Sequence, residues 1–319
     1  MIQIPSISEI RDAHDRIKPY IHRTPVMSSK QINDIFGAEI FLKCENFQKV
    51  GAFKFRGATN AVIQLTEEER RRGVVTHSSG NHAAALTLAA ASLGVKAYIV
   101  MPENAPEVKK NAVAGYGAEI TFCTPTLQAR EETTAAIIEK RGAVLIHPYD
   151  NHNVICGQGT AALELLEDRP DLDIIIAPIG GGGLMSGTVT AAKGISQRIS
   201  VFGAEPLNAN DAWKSFVSGK LVPSVNPKTV ADGLLTSLSE RTFNIIRSRV
   251  DNIFTVTEES IIDSMLLIWE RMKIIVEPSS ATTLAVIREN QELFRGKRTG
   301  LIISGGNVDF RKLPFSQIS

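Results

Sequence analysis

Short apolar runs of strand length recur along the chain, and amphipathic helical stretches separate them. The strand candidates include "EIFLKCE", "GVVTHS", "KAYIVMP", "AEITFC", "AVLIHP", "DIIIAPIG", "ISVFGAEP" and "TGLIISGG". Several are apolar at consecutive positions, as expected of strands covered on both faces. Helix candidates such as "NHAAALTLAAASLG", "LQAREETTAAIIEKRG" and "GTAALELLED" lie between them. Repeated β-α-β order of this kind predicts an α/β protein with mostly parallel sheets and right-handed crossovers. The 319 residues suffice for one large or two modest domains.

Bulk properties narrow the function classes. A formal net charge of +1 gives no support for a nucleic-acid or anionic-membrane partner. No apolar run reaches the length of a membrane span. The first residues lack the basic-then-apolar order of a signal peptide. Cys44, Cys123 and Cys156 are widely spaced and odd in number, which fits packing cysteines in a reducing cytoplasm better than a disulfide framework.

Four stretches do not read as ordinary packing. In "GAFKFRGATNA" an amine, Lys54, sits between Phe53 and Phe55 at the mouth of a helix. Desolvation there disfavours Lys⁺ and leaves a nucleophile able to attack an aldehyde, with both rings walling the site. A lone lysine in such a setting is more often a snorkelling surface residue. In "APIGGGGLMSG" an apolar strand runs through Gly180, Gly181, Gly182 and Gly183 into a helix. Consecutive glycines followed by a helix N-terminus make a phosphate cradle, whereas a plain strand–helix turn needs only one or two. In "HSSGNHAAA", Ser79 or Asn81 could cap the following helix, or the free amides could grip a carboxylate. "LIISGGNVD" is a further strand ending in Ser304 and glycines. Ligands of open α/β sheets gather beyond such ends. A phosphate cradle, an amine in apolar surroundings and a carboxylate-sized loop together fit pyridoxal phosphate with an amino-acid substrate.

These motifs, with "CENFQKVGAFKFRGATNAV", "VICGQGT", "FGAEPLNAND", "TVADG" and "ERMKIIVEP", resemble the fold-type II pyridoxal-phosphate enzymes. Within them the similarity is to the serine racemase and serine/threonine dehydratase group. The resemblance implies two three-layer α/β domains of the tryptophan synthase β-like type. The large cofactor domain would be residues 1–72 and 149–319, and the small mobile domain 73–148. It implies that Lys54 carries the cofactor and acts as base on one face. Phe53 packs on the ring, Asn81 meets its hydroxyl, Gly180 to Gly183 hold its phosphate and Ser304 faces its ring nitrogen. Ser78, Ser79, Gly80, Asn81 and His82 grip the substrate carboxylate. A serine at 304 can donate a hydrogen bond to a neutral ring nitrogen, whereas an aspartate would keep it protonated. In the group, a serine at the place of Ser79 serves racemases as the second acid/base, and plain dehydratases carry alanine there. Carboxylate binding alone is the simpler role for it.

Glu205, Asp211 and the Ala209 carbonyl resemble the group's Mg²⁺ or Ca²⁺ site, with hard oxygen ligands. A solvated acidic loop is the alternative. Ser29, Lys49, Tyr116, Lys273 and Asn307 match positions that bind an activating ATP in some members. Lys30, Gln31, Val50 and Ala84 depart from that pattern. Tyr149 stands where mammalian-like racemases carry asparagine, on the microbial dehydratase side. The expectation is a cytoplasmic homodimer that racemises serine and dehydrates L-serine or L-threonine. The alternatives are a dedicated threonine or 3-hydroxyaspartate ammonia-lyase, a β-replacement enzyme, and a cofactor-binding protein without turnover.

Overall fold

The computed structural model describes residues 3–78, 80–105, 107–313 and 315. Ten strands are found among them. They are β1 (Val26–Met27), β2 (Glu39–Cys44), β3 (Val74–His77), β4 (Ala97–Pro102), β5 (Glu119–Cys123), β6 (Val144–Leu145), β7 (Ile174–Pro178), β8 (Ser200–Pro206), β9 (Asn252–Val256) and β10 (Arg298–Ile303). They form two sheets, one in the order β1-β2-β10-β7-β8-β9 and one in the order β5-β4-β3-β6. Every pairing is parallel except β1 with β2. The smaller sheet is built from one continuous stretch, and the larger takes strands from both sides of it.

The continuous apolar runs are explained by cover on both faces. β7 is buried at all five positions and β4 at all six. Each fully buried Ile or Val in such a strand contributes roughly 1.5–3 kcal/mol. β9 escaped the strand candidates because it lies at the sheet edge, with only Ile253 and Val256 buried, and so lacks a continuous apolar run. The helix expected from "GTAALELLED" runs back to His152, where Asn151 accepts from the Val154 amide as its cap. Gly157 and Gly159 disguise its first turns as a loop. The Pro-rich segment after Lys220 has no helix or strand before the short turn Asp232–Leu234.

Parallel pairing places strand ends on one edge. Leu301 of β10 pairs with Ile176 of β7, so Ser304 and Ile179 stand level, three residues beyond that pair, with Gly180 next. Among the described residues no helix is long and apolar enough to cross a membrane. The three cysteines are buried and unpaired.

Candidate active site

Lys54 opens the helix Lys54–Ile63. Its residue surface is partly open, and Nζ donates to the Pro148 carbonyl at 2.9 Å. Nζ also lies 5.0 Å from the centre of the Phe53 ring. Burial lowers the Lys54 pKa to about 8, opposed by the negative charge of Glu277. Phe55 does not share the site. The helix turns it into the core, where it is fully buried with Ala58, Val62 and Leu86, and Lys49 Nζ lies 5.5 Å from its ring. The expectation that both rings wall the site therefore fails for Phe55, and only Phe53 stands beside the amine.

The glycine turn lies beside this amine through a dipeptide. Pro148 accepts from Lys54, and the next residue, Tyr149, packs onto the turn. A Cβ on Gly181 would sit 2.2 Å from the Tyr149 ring, and one on Gly183 would be 2.9 Å from Tyr149 Cβ. Gly182 has φ +83°, which favours glycine, and is the N-cap of the helix Gly183–Ile195 with no side-chain cap. The first-turn amides are therefore free to meet an anion.

Ser304 is 3% exposed, and its hydroxyl lies 3.0 Å from that of Ser280. Its carbonyl accepts from the Phe53 amide at 2.9 Å, which ties the end of β10 to the Lys54 helix. The uncharged Ser304–Ser280 pair suits a neutral ring nitrogen. Asn81 donates to both oxygens of Glu277, at 3.3 and 3.2 Å, and accepts from Asn307 at 3.0 Å. Sequence reasoning gave Glu277 no role. It is 4% exposed, and the Asn307 amide also donates to it at 3.3 Å. Its one signal was an acidic residue just before a helix-opening proline in "IIVEP".

Ser79 lies outside the described residues. Next to it, Gly80 is the N-cap of the helix Asn81–Ser92, again without a side-chain cap, and the Gly80 amide donates to the Ser78 hydroxyl at 3.4 Å. Asn81 spends its side chain on Glu277 and Asn307, so capping is not its role. His82 faces the interior, 2% exposed, with Nε2 2.9 Å from the Ile146 carbonyl and Nδ1 unpartnered. Burial holds it neutral, with a pKa of about 3. His147 is also held neutral, at about 4, by burial and by nearby His77.

Glu205, next to last in β8, is 1% exposed and accepts from the amides of Ala212 and Trp213 at 2.9 and 2.8 Å. Burial lifts its pKa to about 8 and that of Asp211 to about 6. No close, well-aligned hydrogen bond reaches either Asp211 oxygen, and the longer approaches of the Ser224 side chain and the Leu238 backbone only partly offset the burial. Ala209 is buried in the intervening turn. Among the described residues no further His, Cys, Asp or Glu completes a cluster of three. Asp211, short of partners beside the amide-bound Glu205, fits a hard cation with water completing its shell.

The residues matched to ATP sit on different elements. Ser29 caps the helix Lys30–Phe36, Lys273 ends the helix Glu258–Met272 at φ +59°, and Tyr116 follows the helix Glu107–Gly115. Asn307 donates to the Val50 carbonyl at 2.8 Å, which brings it beside Lys49.

A shielded amine, an uncapped glycine turn and a buried serine at neighbouring strand ends describe a pyridoxal-phosphate site, and residues 17–305 match the family described as pyridoxal-phosphate dependent enzyme. The chain belongs to that family. It is 52% identical over 312 residues to the serine racemase of Dictyostelium discoideum, covering 97% of this chain and 96% of that protein. It is 48% identical to the beta-hydroxyaspartate dehydratase of Paracoccus denitrificans, over 98% of this chain and 99% of that protein. Among solved structures, the D. discoideum serine racemase superposes with a TM-score of 0.92 at 53% identity, covering 96% of this chain and 99% of that one. A T.th. threonine deaminase superposes at 0.91 with 43% identity, covering 96% and 99%.

Proposed function

We propose that the chain is a pyridoxal-phosphate-dependent serine racemase that also dehydrates L-serine and L-threonine to the keto acid and ammonia. The observation that carries this reading is the Lys54 amine, lowered to about 8 and donating to a neutral carbonyl beside an uncapped glycine turn. Its full-length similarity to serine racemases supports the substrate class. Bound pyridoxal phosphate would supply the electron sink that acidifies the substrate Cα–H.

The chain's own residues do the rest. Gly180 to Gly183 would hold the phosphate, Asn81 would meet the cofactor hydroxyl, and Ser304 would donate to the ring nitrogen. The Ser78–His82 loop would grip the substrate carboxylate at the uncapped start of the helix Asn81–Ser92. Lys54 Nζ moves the Cα proton on one face and Ser79 Oγ on the other; racemisation needs both, whereas loss of the β-hydroxyl needs only the first. The stretch 73–148 acts as a mobile domain whose closure excludes water. Ser79→Ala tests the assignment: D-serine formation is abolished while pyruvate formation from L-serine survives. Equal loss of both products rejects it.

A 3-hydroxyaspartate ammonia-lyase is the second reading, favoured by relatives so named at 48% and 47% identity. A panel of L-serine, L-threonine and 3-hydroxyaspartate, scored for keto acid, ammonia and D-enantiomer, separates the two. Glu205, Asp211 and the Ala209 carbonyl are proposed to hold Mg²⁺ or Ca²⁺. Chelation then lowers the melting temperature by a few degrees, reversed by adding the cation; an unchanged melting curve returns these residues to a plain buried loop. The proposal extends to a cytoplasmic homodimer. ATP, if it activates, would use Ser29, Lys49, Tyr116, Lys273 and Asn307, without polar contacts from Val50 or Ala84.

A further inference from the structure

Beneath Lys54 lies a cluster of charges that the reaction does not use. Lys43 at the end of β2, Glu45 just beyond it, Arg56 on the Lys54 helix and Glu164 on the helix His152–Asp168 are all 0% exposed. Arg56 forks Glu45 through Nε and Nη2 at 2.7 and 2.8 Å. It forks Glu164 through Nη1 and Nη2 at 2.9 and 2.8 Å. Nη1 also donates to the Thr160 hydroxyl at 3.2 Å. Lys43 donates to Glu164 and to the Thr24 carbonyl, each at 2.6 Å. Two cations and two anions balance.

Such a cluster is a poor device for stability alone, because apolar side chains of the same volume do as well or better. What it supplies is fixed geometry, since a doubly forked guanidinium has one orientation. Arg56 is two residues after Lys54, about 200° around the helix, so it pins the face opposite the amine. Directly beside it the helices touch through backbone: a Cβ on Gly157 would lie 2.6 Å from Gly57 Cα, and the Gly57 amide donates to Gln158 at 3.2 Å. Two residues on, the same helix meets the one that carries the glycine turn. A Cβ on Gly187 would lie 2.5 Å from the Gly159 amide nitrogen. The helix His152–Asp168 thus sits between the element bearing Lys54 and the element bearing the phosphate cradle.

We propose that Arg56, locked by Glu45, Glu164 and Lys43, is a positioning residue that fixes Lys54 relative to the Gly180–Gly183 turn, with the helix His152–Asp168 as the spacer. The proposal rests on the reading of Lys54 as the cofactor-bearing amine. Borohydride reduction of the wild-type holoenzyme followed by peptide mass analysis tests that reading by itself: an unlabelled Lys54 ends it whatever Arg56 does. With Lys54 labelled, Arg56→Lys keeps the charge and loses the fork. The expected result is kcat down by ~10-fold or more with KM within about twofold, because small misplacement of a reacting group acts on the chemical step. Pyridoxal phosphate also leaves that holoenzyme ~10-fold faster, and the pH midpoint of its visible absorbance moves. Phe294→Leu, in the core on the other side of the large sheet, is the control for a general loss of stability and leaves all three readouts at wild type. If Arg56→Lys does not fold, Thr160→Val decides. A lower kcat and faster cofactor release at unchanged melting temperature support the proposal. Wild-type kcat and release in either folded variant overturn it.

Discussion

Lys43, fully buried, and Lys54, partly buried, lie on the same segment of chain, yet they sit in opposite electrostatic settings. Burial lowers the pKa of each. Lys43 is fully buried with the Glu164 carboxylate at 2.6 Å and Arg56 completing a neutral set. Lys54 gives its hydrogen bond to the neutral Pro148 carbonyl, and the negative charge of Glu277 offsets part of the burial effect. The first arrangement keeps an ammonium in the core and yields geometry. The second leaves an amine that loses its proton near physiological pH and yields chemistry. A buried lysine becomes a candidate nucleophile only where its counter-charge is withheld.

The sharpest way to break this contrast is to remove each amine in turn. Lys54→Ala should abolish turnover, by roughly 10⁴-fold or more, and end covalent cofactor labelling, with the fold intact by circular dichroism. Turnover within a factor of ten of wild type would place the chemistry elsewhere. Lys43→Met should act on stability instead, by about 3–5 kcal/mol in denaturant unfolding, because Glu164 loses a partner where water cannot replace it. A loss under 1 kcal/mol would show that Arg56 alone satisfies Glu164.

A finer test uses pH. The folded pKa of Lys54, about 8, lies below the 10.5 of a free lysine. Between those values the unfolded chain holds more protons, so this group makes stability rise with pH. Below pH 8 the full penalty of a charged, desolvated amine is present, on the order of 3 kcal/mol. Lys54→Met should therefore stabilise the cofactor-free protein at pH 7 and lose that advantage as pH climbs from about 8 to 10.5. A stability gain that does not change with pH would mean the effect is packing rather than charge.

Much of this site was legible before the fold. Glycine runs and strand-length apolar runs carry local meaning, since backbone freedom and burial on both faces leave marks in consecutive residues. Lys54, the Gly180–Gly183 turn and Ser304 carry such marks. Glu277, Ser280 and the Pro148 carbonyl were not, because each acts through a partner far along the chain. Asn81 meets Glu277 across 196 residues. Phe55 was misjudged for a related reason. Adjacent positions on a helix point about 100° apart, so flanking Lys54 in sequence does not mean flanking it in space.

The sequence by itself determined the class of architecture, the cofactor-type motifs and the amine that stands among them, because these depend on local backbone chemistry and on apolar period. Only the tertiary structure decided which buried lysine is neutralised by a carboxylate and which faces a bare carbonyl. It also decided that one glycine-notched helix lies between the amine and the phosphate turn. This charge pairing and these helix contacts join residues up to 121 positions apart, and nothing in a linear chain states those distances.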